Sequence, residues 1–188
     1  MASAFKTFLK FSIGTAGNAI ISLITIPVIT WFLAPDELGK AAMFTLVFNL
    51  LLNIFLLGQD QSFIRSYNDV DKEKIPKLWA SSLFPPLLTS IVGIVFISLF
   101  RKNISILLFE KEDYAFCIDL LSFVLFCGIV NRLTQVSIRM KNNALIYSML
   151  QILTAASNLI FTILFAAYAK NDFSAVVLGF VCSQAFVM

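Results

Sequence analysis

Asn49 and Asn53 stand four residues apart in a run that is otherwise mostly Leu, Phe and Ile. Thr45 lies four residues before them and Asp60 seven after. A helix advances about 100° per residue, so these four share one face. The pattern recurs elsewhere in the chain. Thr15, Asn18, Ser22 and Thr25 mark a second stripe, and Gln151, Asn158 and Thr162 a third. Asn131, Gln135 and Arg139 make a fourth at steps of four, with Arg132 alongside. Two arrangements use such groups. They can hydrogen-bond across tightly packed apolar helices, at roughly 1 kcal/mol or less each, or they can line a shared wet cavity. A dry bundle does not need so many donors and acceptors on four separate runs, so the set favours the cavity.

The charged residues inside apolar runs are few. Arg132 lies about two turns inside one end of its run, and Asp119 lies near the other end. A charge at the centre of a membrane costs at least about 2.5 kcal/mol, so such groups usually face protein or water and often mark a substrate path. Plainer readings stand beside that one. Arg132 can snorkel to the headgroups, Asp119 can sit at the interface, and Arg65 and Arg139 can anchor topology. Arg65, Arg132 and Arg139 nevertheless fall on the same side. Together they make a candidate cationic vestibule suited to phosphate, which the planar guanidinium grips bidentately. Five residues put Asp60 and Arg65 about 140° apart on one helix, whereas Gln61 and Arg65 can touch. Asp60, then Asp119, are the candidate acids for coupling to an ion. No Ser/Lys or Ser/His arrangement, HExxH, Gly-rich phosphate loop or membrane acid pair suggests an enzyme. "GTAG" at residues 14–17 reads as close helix packing. With no His and no CxxC, zinc or haem of the usual kind is not expected, nor is any other cofactor. Cys117, Cys127 and Cys182 lie in apolar runs and read as packing residues.

The elements that carry these groups follow from composition. Hydrophobic residues make up 59% of the 188 and charged residues 13%, with a mean hydropathy of +0.88. A soluble domain is nearer half apolar and a quarter charged. The chain is therefore expected to be an all-α polytopic membrane bundle without a soluble domain. Five complete spans are expected, at about residues 11–33, 41–58, 78–100, 115–138 and 146–168. A sixth apolar run from about residue 174 is shorter than the roughly 20 residues a crossing needs, so the chain reads as part of something longer. No cleavable signal is expected at its start. A cytoplasmic N-terminus puts eight Lys and Arg inside: Lys6, Lys10, Arg65, Lys72, Lys74, Lys77, Arg139 and Lys141. Five remain outside: Lys40, Arg101, Lys102, Lys111 and Lys170. The positive-inside rule favours that orientation. The net charge of +3 is too small to point to nucleic acid.

Three stretches carry a family resemblance. "ITIPVITWFLAPDELGKAAMF", "LGQDQSFIRSYND" and "QVSIRMKNNALIYSMLQI" occur in an order and spacing that resembles the N-terminal half of the oligosaccharide and polysaccharide flippases. These are a branch of the multidrug/oligosaccharidyl-lipid/polysaccharide exporter superfamily, and the outer "ILLFEKEDYAF" fits as well. The resemblance implies an N-terminal lobe over residues 1–188 of a two-lobed transporter in the bacterial cytoplasmic membrane. It implies a polyprenyl-diphosphate-linked glycan as substrate, moved outward by alternating access with a coupling ion such as a proton or sodium. Arg65 occupies the motif arginine. Arg132, Arg139, Asn18, Asn49, Asn53, Gln151 and Asn158 join it as substrate-binding candidates on the residue reading alone. Two rivals remain: a drug or cation antiporter of the same superfamily, and a non-transporting scaffold in a glycan-polymerase complex.

Overall fold

The computed structural model describes the backbone of residues 2–168 and 172–188, with side chains from residue 12 onward. The side chains of Lys6 and Lys10, and all of Lys170, lie outside the described residues. Among the described residues the fold is all-helical. The long elements are α1 (Ala2–Phe32), α2 (Pro35–Leu56), α4 (Ile75–Leu99), α6 (Ala115–Met140) and α7 (Ala144–Tyr168). Shorter helices complete it: α3 (Gln59–Ser66), α5 (Arg101–Phe109) and α8 (Phe173–Val187). Five stretches are long and apolar enough to cross a membrane. In lipid no water can satisfy backbone polar groups, so runs this apolar must bond internally as helices. Pro27, Pro85 and Pro86 lie inside continuous helices and end none of them.

Where a helix stops decides which polar groups share a face. Pro35 opens α2, its fixed φ and missing N–H suiting the first turn, and Asp36 and Glu37 meet the positive end of the helix dipole. Its other end is a reversal. Leu57 and Gly58 both adopt left-handed conformations, with φ of 49° and 70°. A residue without Cβ reaches that region at little cost, which explains Gly58 here. The break corrects one expectation. The face holding Thr45, Asn49 and Asn53 does not run on to Asp60, because Asp60 begins a separate helix, α3.

Packing sets the centre. α6 is the most buried span, with half of its membrane window enclosed, against 6% for α1. Its Ile118, Leu121, Val124 and Leu125 meet Phe44 and Phe48 of α2 and Phe173, Val177 and Val181 of α8. α1 packs against α7, and α7 against α8, while α2 packs against α6, α8 and α4. α1 and α2 follow each other in sequence yet do not pack side by side along their lengths. A Cβ at Gly14 would lie 2.5 Å from the Ser148 Cα, so the expected close packing at "GTAG" is present, against α7. On the outside, Phe84, Leu88, Ile91, Val92, Val95, Phe96 and Leu99 of α4 are exposed. A patch of that kind in water marks an interaction or aggregation site. In a bilayer it is the lipid-facing surface of a multi-pass membrane protein.

Candidate functional site

The two ends of the bundle differ. At the end where α2 stops and α4 begins, the Arg132 guanidinium reaches Asp60, with Nη2 3.3 Å from Oδ2. The Asp60 side chain is 11% exposed and that of Arg132 is 50% exposed. Asp60 Oδ1 accepts the backbone N–H of Gln61 at 2.9 Å. The break at Leu57 and Gly58 turns α3 against α6, and this pairing is the result. Asp60 is thus held by an arginine, a partner that helical spacing could not reveal. Arg65 and Arg139 are exposed and make no ion pair among the described residues. Of the three expected vestibule arginines, only Arg132 has a carboxylate partner. Asp119 is far from this group, paired with Arg101 at 2.8 Å across α5 and α6.

The polar stripes do not share one fate. Asn131 is buried and donates to the backbone oxygen and Oε1 of Gln184 at 2.9 and 3.0 Å, so on α6 the packing reading holds. Thr15 donates to Gln151 Oε1 at 3.5 Å, and Gln151 donates to the Tyr147 hydroxyl at 2.8 Å. Farther along, α1, α7 and α8 leave a cavity of about 260 Å³. Asn18, Ser22, Thr25, Thr154, Asn158, Ser183 and Gln184 bring polar groups to its wall. Asn49 and Asn53 stay exposed, and their amides donate only to carbonyls of their own helix, at 2.8 Å each. Among the described residues they bond to no other helix, so packing there does not account for them. Ser183 and Gln184 escaped the sequence reading, which treated α8 as a short apolar run. The signal was a Ser-Gln pair near its end.

The opposite end is tied by acids. Glu37 accepts the Phe173 N–H at 3.0 Å and thereby caps α8 from the first turn of α2. Its other oxygen holds Lys40 at 2.6 Å. The Lys40 ammonium also lies 5.3 Å from the Tyr114 ring centre, a cation–π distance. Asp172 sits beside Glu37 with its Oδ1 buried and without a hydrogen-bond donor among the described residues. Burial first, then the hydrogen bond and charge of Glu37, push the Asp172 carboxyl above the ordinary carboxylate value. The folded state therefore binds the proton more tightly than the unfolded state. The contribution of Asp172 to stability is fully present below the ordinary carboxylate value and is lost as pH rises through the raised one. Asp172→Asn supplies an uncharged amide donor to Glu37 and removes that loss. It is expected to raise the melting temperature at pH 7 by about 2–4 °C, the effect of roughly one hydrogen bond in a chain this size. Scans in detergent from about pH 4 to pH 7 should show the variant's pH slope flattened relative to wild type.

These features define a helical membrane bundle with polar faces on apolar helices and, near one end, a buried acid paired with a half-exposed arginine. A family model described as polysaccharide biosynthesis protein matches residues 28–188, and the chain belongs to that family. The resemblance drawn from its three motifs is thereby borne out. No curated protein and no solved structure matches the chain.

Proposed function

We propose that this chain forms one lobe of a flippase that carries a polyprenyl-diphosphate-linked oligosaccharide from the cytoplasmic to the outer leaflet by alternating access. One observation carries the reading. The polar face of α2 is left unused by the packing of the bundle, and that of α1 opens on a cavity shared with α7 and α8, on two helices that do not pack side by side. Asn18, Asn49 and Asn53 then face a wet path between this lobe and a second one, and they hydrogen-bond sugar hydroxyls. Gln151 and Asn158 extend that surface from α7. Arg132, Arg65 and Arg139 lie toward the cytoplasmic side in this orientation and receive the diphosphate. Asp60, relieved of Arg132 when phosphate arrives, is the acid through which a proton or sodium ion couples to the cycle. The protein acts by rocking between two states and makes no covalent bond.

The test is the sidedness of the lipid-linked glycan in cells lacking the gene. Under this reading the glycan accumulates facing the cytoplasm, so an impermeant glycosidase trims it in inverted vesicles and spares it in spheroplasts. A scaffold in a polymerase complex gives the opposite result: single repeat units reach the outer leaflet, are trimmed in spheroplasts and stay unpolymerised. That second pattern overturns the flippase reading.

A further inference from the structure

A second polar site lies at the same end as Asp60 but outside the arginine group. It is a groove between the segment after α3, the first turn of α4 and the last turn of α6. Two adjoining cavities form it, of about 520 and 300 Å³, sharing Ile75, Pro76 and Lys141. Those volumes fall in or near the range of small-molecule sites. The larger cavity is lined by Lys72 and Lys141 among its charged residues, and by no acid. Neither lysine forms an ion pair among the described residues, whereas neighbouring Lys74 is taken by Asp71 at 2.8 Å. The start of α4 adds the positive end of a 25-residue helix dipole. The smaller cavity is more apolar, walled by Ile138 and by Trp79, a residue type that favours the membrane interface, with Thr134 and Ser137 beside them. The groove is therefore cationic at one end and greasy at the other.

We propose that this groove binds the headgroup of an anionic phospholipid, with the phosphodiester on Lys72 and Lys141 and the upper acyl chains along Trp79 and Ile138. Charge complementarity selects that occupant. A zwitterionic lipid brings its own cation to two lysines, and a soluble anion leaves the apolar half unfilled. Basic pockets between membrane helices recognise lipid headgroups in this manner. The inference stands apart from the flippase reading and does not depend on which leaflet the groove faces.

Trp79 and Trp31 are the two tryptophans of the chain, so a Trp31→Phe background makes Trp79 the sole reporter. That protein is placed in phosphatidylcholine vesicles containing equal mole fractions of brominated phosphatidylglycerol or brominated phosphatidylcholine. Brominated phosphatidylglycerol is expected to quench Trp79 with about thirtyfold greater affinity, the effect of two lysines near an anionic group at about fivefold each. Lys72→Gln with Lys141→Gln should abolish the preference, and Lys74→Gln should keep it. Equal quenching by the two lipids in the parent protein overturns the proposal, whether or not the double variant inserts. So does a preference that survives in an inserted double variant. Sodium phosphate, compared with sodium chloride at equal ionic strength, should leave the preference unchanged. Selective loss in phosphate would assign the groove to a soluble phosphate compound instead.

Discussion

Arg132→Ala is expected to cut glycan export by about ten- to a hundredfold while the protein still inserts. A hydrogen bond to a charged group contributes about 1.5–3 kcal/mol, which sets that range. What Arg132 does at rest decides its role. Its guanidinium is half exposed and reaches a nearly buried Asp60 at 3.3 Å. A contact of that length, with one partner open to water, can be exchanged for a diphosphate. Asp60→Asn separates the two roles. If Arg132 serves the substrate, removing its resting partner frees it, and the purified, stably inserted variant binds the lipid-linked glycan as well as or better than wild type, while loss of the coupling acid lowers its export. If the pair only holds α3 against α6, both substitutions loosen that corner alike and both lower the amount of inserted protein. Export and membrane abundance are measured together for each variant in cells. Wild-type export by a stably inserted Arg132→Ala protein would sink the assignment.

Gly179→Val should be strongly disruptive in the apolar interior. A Cβ at Gly179 would lie 2.7 Å from both the Cα and the backbone nitrogen of Thr162. Backbone cannot rotate away as a side-chain tip can, so α8 must shift off α7. Helices in membranes associate through such small-residue approaches, with no hydrophobic drive to replace them. Overpacking of this kind costs about 1–3 kcal/mol, occasionally more. The cavity lined by Asn158, Ser183 and Gln184 then opens, and the bond from Asn131 to Gln184 is strained or lost. Size-exclusion profiles after heating should show the variant aggregating about 3–10 °C below wild type. An unchanged profile would mean that α8 does not rest on α7 as described. Gly179 sits in an apolar run with no neighbouring glycine motif, so nothing in its local sequence marked it.

How much was readable in advance differs from residue to residue. "GTAG" announced close packing because small residues at helical spacing have one common use in a membrane. The stripe on α2 was readable because Asn49 and Asn53 contrast sharply with the residues around them. Its supposed extension to Asp60 failed at Gly58, where one left-handed turn changed the helix axis. The stripe on α6 was real as a pattern but split in use. Asn131 turned inward to Gln184, while Arg132 beside it, about 100° around the helix, turned to Asp60. Glu37 stands within a family stretch with no role that its sequence neighbours reveal, yet it caps a helix that begins 136 residues later.

The sequence alone determined the medium, the number of long apolar spans, the helical class and the family. These depend on properties summed over neighbours in the chain: hydropathy over a window of bilayer length, and a period of 3.6. Tertiary structure decided the partners. Asp60 meets Arg132 across 72 residues, and Asn131 meets Gln184 across 53. Those meetings depend on the order of helices around the bundle and on the rotation of each about its own axis. In water an apolar stripe would reveal that rotation, because only one face is buried. A helix in lipid is apolar on nearly every side. Its rotation is set instead by where a glycine lets another backbone approach and where a polar group finds its one donor or acceptor.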